Sequence, residues 1–313
     1  MTNHILLGTA NGLWTLDANG GSPHDAFAGH SVDALAQDAG RAWAIVDGKT
    51  LRATEGDREW DAASIDGPPA TCLAATPSGL VVGTEEAHLL RLAGDRLALI
   101  ESFETATGRE SWYTPWGDPA DVRSIAVEPP VGKAKTGGSN RSIYVNVHVG
   151  GVVRSTDGGR SWTPTVDIEA DVHQVIAHPT RRGVALVAAA DGFGESRDGG
   201  DSWEFTTAGL HAHYLRAVAI AGETVLVSAS TGPRGKRAAI YRKPLDGRAR
   251  FERCRAGLPE WFDGNIDTAC LAACGRLGVF GTEDGRVFRS HDGGESWDLI
   301  AKGLPGVRSV VIA

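Results

Sequence analysis

The sequence of 313 residues predicts an all-β protein, a closed seven-bladed β-propeller of four-stranded antiparallel blades. Three observations predict it. First, a Ser-x-Asp-Gly-Gly-x-Ser-Trp octad occurs in RSTDGGRSW (154–162), ESRDGGDSW (195–203) and RSHDGGESW (289–297). Second, the closing tryptophans Trp162, Trp203 and Trp297 are spaced by 203 − 162 = 41 and 297 − 203 = 94 residues, and 94 is two steps of 47. Strand-built periods of roughly 40–50 residues mark propeller blades. Third, an apolar first strand recurs seven times, and its last copy, VRSVVIA (307–313), has no repeat after it.

That last strand belongs with the first repeat, because the N-terminal HILLGTANG (4–12) reads as a second-type strand without a first. Blade one is therefore 307–313 plus 1–30, and this sharing of a blade closes the ring and removes its exposed edges. Blade two (31–67) opens with VDALAQDA and blade three (68–103) with ATCLAATP. Blade four (121–170) runs VRSIAVEP, then SIYVNVHVGG, then VVRS into the first octad and out through Trp162. Blade five (171–210) opens with VHQVIAHP, blade six (213–259) with LRAVAIAG and blade seven (264–304) with IDTACLAA. With RLAGDRL (91–97) as the blade-three hairpin, 104–120 is a long loop on the top face that carries Trp112, Tyr113 and Trp116. A loop of that length over a propeller mouth reads as a lid. Read instead as a decayed octad, TATGRESW (105–112) makes Trp112 structural and shrinks the lid.

Composition agrees with strands and turns. There are 41 glycines, nine tryptophans and one methionine, with 42% apolar residues to fill a large core. Formal charge is 31 − 39 = −8 without a long Lys/Arg run, so neither nucleic acid nor an anionic membrane is an expected partner. RGKR (234–237) reads as a solvated loop. The N-terminus has no basic region and only a three-residue apolar run, Ile5–Leu7, so no signal peptide is expected, and no stretch is long enough to span a membrane. Cys72, Cys254, Cys270 and Cys274 lack Cys-x-x-Cys spacing and read as reduced thiols of a cytoplasmic protein. Phosphate-loop, His-Glu-x-x-His and Gly-x-Ser-x-Gly motifs are absent, and NRS (140–142) carries no weight as a glycosylation acceptor without a leader.

The octad is expected to be frame. Asp157, Asp198 and Asp292 can accept N–H groups of their own turns, the Gly-Gly pairs permit positive φ, and each Trp can pack under the turn and offer its indole N–H to a carbonyl. Ser-x-Asp-x-Gly-x-x-Trp resembles the Asp-box, or BNR, repeat of β-propellers such as sialidases, sortilin-type receptors and photosystem assembly factors. A weaker echo is ATEGDREW (53–60). The resemblance implies the fold and a functional face opposite the octads; it leaves the activity open.

Aligning the first strands gives one top-face residue per blade, Arg308, Asp33, Thr71, Arg123, His173, Arg216 and Asp267 from blade one to blade seven. So many ionisable groups at strand starts must face water or a ligand. Arg123, Arg216 and Arg308 are expected to hold an anionic or polyhydroxylated small molecule, with Tyr214 and Asn265 orienting it and Trp112 and Trp116 covering it. His148, His173, His211 and His213 could bind a divalent metal, with Asp267 and Asp121 as the nearest carboxylates. His173, His213 and Asp267 are the candidates for acid/base work in a hydrolase- or lyase-type reaction. The sialidase resemblance implies three arginines, a Tyr–Glu nucleophile and an Asp acid, usually on six blades. Only Tyr214 with Glu283 could supply the pair here, so a sialidase-like glycosidase is the weaker alternative. A non-catalytic propeller that docks a protein partner is the stronger one.

Overall fold

The computed structural model describes residues 4–17, 24–38, 40–55, 58–130, 141–148 and 151–313. The ATEGDREW echo and the NRS sequence fall partly outside them. Seven four-stranded antiparallel sheets form the ring. Blade one joins the C-terminal strand Val307–Ile312, as its inner strand, to His4–Thr9, Leu13–Asp17 and His24–Ala26. The closing pair runs Ile5↔Ile312, Leu6↔Val311, Leu7↔Val310 and Gly8↔Ser309. From blade two to blade seven the inner strands are Val32–Asp38, Ala70–Thr76, Val122–Val127, Val172–Ala177, Tyr214–Ala221 and Leu271–Cys274. No helix among the described residues is long and apolar enough to cross a membrane.

Three second strands, Ile143–Val147, Ala185–Ala189 and Leu277–Gly281, are buried along their whole length. They are covered on both faces by neighbouring blades, so they read as unbroken apolar runs instead of alternating ones. The inner strand Val122–Val127 alternates, because one face lines the central channel. The second strands of blades one and three end in a Gly-Thr pair, and that of blade seven ends at Gly281 with Thr282 just beyond it. A Cβ on Gly83 would stand 2.5 Å from Val122 Cγ1, and one on Gly281 would stand 2.4 Å from Val307 Cγ1. These glycines let the next blade's inner strand pack directly on the sheet.

The octads are closed hydrogen-bonded turns. In the first, Asp157 Oδ1 accepts the N–H groups of Arg160 (2.9 Å) and Ser161 (3.0 Å) and the Ser155 hydroxyl (2.8 Å); Oδ2 accepts the Ser161 hydroxyl (2.7 Å). Asp198 and Asp292 repeat the pattern with Ser202 and Ser296. Gly158 and Gly159 sit at φ 79° and 86°, the left-handed region that glycine enters without cost. The octads also stitch blades together. Arg91 of blade three donates to Gly158 O of the next octad, Arg154 of blade four to Gly199 O, and Arg242 of blade six pairs with Glu295. The tryptophans differ from the expectation. Trp162 donates its indole N–H to the Ser102 hydroxyl (3.3 Å), not to a carbonyl. The indole nitrogens of Trp203 and Trp297 are buried without a hydrogen bond among the described residues, so these rings act by packing, Trp297 edge-on to Phe280 at 4.9 Å.

At Asp157 and Asp292 desolvation is the largest single influence and raises the carboxyl, but the serine hydroxyls and turn N–H groups together outweigh it and hold both carboxyls well below the usual range. A depressed folded-state pKa contributes stability that is present above the unfolded value, near 4, and is lost as pH falls below it. Asp292→Ala is expected to cost about 1–2 kcal/mol at pH 7. Its difference from wild type should shrink between about pH 4 and pH 2. Urea denaturation across that range checks both.

Candidate functional site

Six of the seven aligned top-face residues share a backbone device. In blades two to five the inner strand skips one residue in its pairing, between Val32 and Ala34, Ala70 and Cys72, Val122 and Ser124, and Val172 and Gln174. The skipped residues are Asp33, Thr71, Arg123 and His173. Arg308 is skipped in the same way in blade one, and Arg216 with Ala217 in blade six. Each bulge frees a side chain from the pleat and re-aims it. Blade seven reaches the same end by a turn, with Cys270 N–H on Asp267 O (3.0 Å) and Ala269 at φ 64°. Six of the seven line a central cavity of about 490 Å³, and the exception is His173, which is fully buried. Arg216, Asp267, Thr268 and Arg308 also border a second cavity of about 660 Å³, walled by Asn265, Arg234 and Glu283.

Charges around the mouth are matched unevenly. Arg308 pairs with Asp33, and Arg216 with Asp267 at 3.0 Å. Arg123 forms no carboxylate ion pair among the described residues; its hydrogen-bond partner is His148 Nδ1, at 3.2 Å. An arginine can only donate, so His148 accepts at Nδ1 and its Nε2 carries the proton. That Nε2 faces Asp171 Oδ1 at 3.4 Å, and Asp171 Oδ2 faces His173 Nε2 at 3.5 Å. His173 Nδ1 donates to Leu215 O at 2.5 Å. One carboxylate thus spans two imidazoles. Burial opposes its ionisation, but interactions with His148 and His173 outweigh it and hold Asp171 far below the usual range. Burial, and then the charge of Arg216, lowers Arg123 from its ordinary value. Tyr214 meets His173 in a tilted contact at 4.7 Å and lies 5.3 Å beneath Arg216, while Trp116, exposed, covers His148 at 6.0 Å.

The structure therefore brings together Arg123, His148, His173, Tyr214, Arg216, Asp267 and Trp116. It does not bring in four other expected residues. His211 bonds to the Tyr241 hydroxyl (2.9 Å) and packs 4.7 Å from Trp261. His213 is exposed, with Nδ1 on Ala190 O. The four histidines do not converge, and among the described residues no group of three or more His, Cys, Asp or Glu is arranged to hold a metal ion. Trp112 is buried against Phe103, 5.4 Å away, in the same cluster as Trp162. Asn265 donates to Pro233 O at the rim of the second cavity. The connection from blade three to blade four starts against the octad of blade four, where Ser102 donates to Gly159 O (2.6 Å), and reaches His148 only at Trp116. Its first part is packing, and the part near Trp116 covers the site.

Asp171 is the residue that sequence reasoning missed. It stands two before His173, just as Asp121 stands two before Arg123, and side chains two apart in extended chain share a side. The signal was the repeat of that Asp-x-ring spacing; Asp121 itself accepts Glu86 N–H and stays outside the cluster. The thiols offer no nucleophile in the core. Burial pushes Cys72 up to about 12 and Cys254 up to about 11.

No protein-family model and no curated protein sequence matches the chain. Solved structures do. An ancestral GH74 enzyme aligns with 99% of the chain at TM-score 0.62 and 14% identity, and the chain spans only 40% of that structure. The WD40 propeller domain of Doa1 aligns over 100% of the chain and 94% of its own length at TM-score 0.64 and 12% identity. YCF48 from Cyanidioschyzon merolae aligns over 93% and 96% at TM-score 0.63 and 12% identity, and YCF48 bound to D1 peptide over 90% and 85% at TM-score 0.58 and 11%. These neighbours include enzymes and non-catalytic propellers alike, and at such identities the likeness establishes a β-propeller fold and nothing finer.

Proposed function

We propose that the channel mouth binds a small anionic ligand between Arg123 and Arg216. One observation carries the reading: Arg123 lines the cavity with an imidazole nitrogen, not a carboxylate, as its hydrogen-bond partner, while Arg216 and Arg308 each have a carboxylate. A partly desolvated guanidinium with no carboxylate in direct contact favours an incoming carboxylate or phosphate. Asp171 and His148 act as positioning residues that aim Arg123. Thr71 and Thr268 supply polar contacts in the cavity wall, and Trp116 shields the blade-four side. His173 is fully buried, with Nδ1 bonded to Leu215 O and Nε2 without a hydrogen bond 3.5 Å from Asp171, so we assign it a positioning role too. The octads support a place among the Asp-box propellers, and four unpaired thiols support a reducing, cytoplasmic setting.

Thermal melting against acetate, citrate, phosphate and sulfate at constant ionic strength tests this. At least one anion should raise the melting temperature, and Arg123→Ala should weaken its binding by about 10–100-fold. An equal response from wild type and variant would overturn the assignment.

A second reading, docking of a peptide, is favoured by the exposed aromatics Tyr113 and Trp116 beside the mouth. It is also supported by the YCF48 structure that holds a D1 peptide. In that case Trp116→Ala and Arg123→Ala should weaken the same interaction, and no small anion should raise the melting temperature.

A further inference from the structure

We propose that the outer edge of blade six is a docking surface for an acidic polypeptide segment, separate from the channel mouth. Residues 234–255 hold nine basic and two acidic side chains, +7 in a chain of −8, so the rest of the molecule carries −8 − 7 = −15. The RGKR loop, read alone as a solvated turn, is one part of this concentration; its first residue, Arg234, lines the second cavity by the mouth, and Lys236 and Arg237 belong to the edge. The fold adds the rest by placing the loop beside the outer strand, Glu252–Arg253.

Few of these charges are neutralised within the protein. Arg242 pairs with Glu295 (3.2 Å) and Lys243 with Glu195 (3.6 Å). The nearby Asp246 is already taken by Arg181 (3.0 Å) and Arg197 (2.9 Å) of blade five. Among the described residues the other seven basic side chains form no ion pair with a carboxylate.

Two of them are held by an aromatic ring instead. The Arg253 guanidinium lies 3.8 Å and that of Arg237 4.5 Å from the Trp261 centroid. Trp261 is fixed in turn by His211 at 4.7 Å, which Tyr241 holds by a hydrogen bond. Mutual backbone bonds between Ala238 and Phe262 (3.0 and 2.8 Å) lock the two loops together. The charges of Arg253, Arg255 and Arg237 all reach Tyr241. Stacking orders a guanidinium without consuming its charge or its donors, which leaves a preorganised cationic strip. The uncompensated like charges repel one another in the free protein, and an acidic partner relieves that cost.

An acidic polypeptide fits better than nucleic acid. A strand long enough to pass beyond blade six would meet the −15 remainder. The Trp261 ring is also already covered by guanidinium and imidazole, so it offers no open face for base stacking.

The probe is a fluorescein-labelled deca-glutamate peptide, followed by anisotropy with the whole chain. Binding is expected at about 50 mM salt and should weaken at least tenfold by about 300 mM. The exposed charge reversals Arg237→Glu, Arg250→Glu and Arg255→Glu, combined, should weaken it at least tenfold with an unchanged melting temperature. Arg123→Ala should leave it unchanged. Absence of binding at the lower salt, a triple variant that binds like wild type, or loss of binding in Arg123→Ala would each overturn the proposal. So would a labelled deca-thymidine that binds more tightly than the peptide and is lost in the same triple variant, which would assign the surface to nucleic acid.

Discussion

Removal of Val307–Ala313 is expected to abolish the folded monomer. This segment is the inner strand of blade one, paired along His4–Thr9 and tied at its end by reciprocal bonds between His4 and Ala313 (3.1 and 2.7 Å). It also bridges to blade seven, through Val310 N–H on Ala269 O (2.8 Å) and Val307 N–H on Thr282 O (3.1 Å), and to blade two through Arg308 and Asp33. Val307 and Val310 are buried, and Ile5 and Leu7 behind them are fully buried. Losing two buried valines costs about 3–6 kcal/mol before any hydrogen bond is counted. That is comparable with the whole stability of a typical domain, about 5–15 kcal/mol. The truncated chain would expose Ile5, Leu7 and an unpaired strand edge, a template for aggregation. Size-exclusion chromatography and thermal melting should show an oligomeric or unfolded product. Moving the strand to the N-terminus, joined by a short glycine linker to residue 1, should restore the monomer, because Ala313 and His4 are hydrogen-bonded neighbours. A truncated chain that melts like wild type would mean that the ring does not depend on this closure.

The strand that closes the ring was legible because its signals are local. An apolar run at 307–313 with no repeat after it, and a second-type strand at 4–12 with none before it, leave one consistent pairing. The top-face register was legible for a related reason: each bulge repeats at the same place in its strand, so aligning strands aligns the bulged residues. The connection before blade four was less readable. Whether Trp112 covers a ligand or fills the core depends on Phe103 and Trp162 meeting across two blades, and no periodicity encodes that contact. The histidines divide along the same line. His148 and His173 belong to adjacent blades and meet through Asp171. His211 was within reach in sequence, but Tyr241 of blade six and Trp261 of the loop after it capture it. In the sequence only RGKR stood out, and it read as a solvated loop; its link to the outer strand rests on Arg237 and Arg253 sharing Trp261.

Asp171→Ala is expected to damage both stability and the site. The carboxylate sits at φ 42° after a short 3-10 turn, a left-handed conformation that Asp and Asn tolerate better than most residues. From there it faces His148 at 3.4 Å and the fully buried His173 at 3.5 Å. Removing one member of a buried charged network typically costs 3–5 kcal/mol, and a side chain still about one-third exposed lowers the expectation to about 2–4 kcal/mol. Asp171→Asn separates charge from backbone, because Asn keeps the left-handed turn. If the charge supplies most of the effect, Asn should be nearly as destabilising as Ala at pH 7. Asp171 has a depressed folded-state pKa, so its contribution is present above the unfolded value near 4 and vanishes as pH falls. The Asn variant and wild type should therefore converge in acid. The same variant should reduce anion affinity at the mouth, since His148 loses the acceptor that fixes its tautomer and with it the partner that aims Arg123. Two-dimensional nitrogen NMR of the histidine rings provides the independent readout, with the His148 proton on Nε2 in wild type and redistributed in Asp171→Asn. A variant that keeps both the tautomer and the affinity would reduce Asp171 to a turn residue.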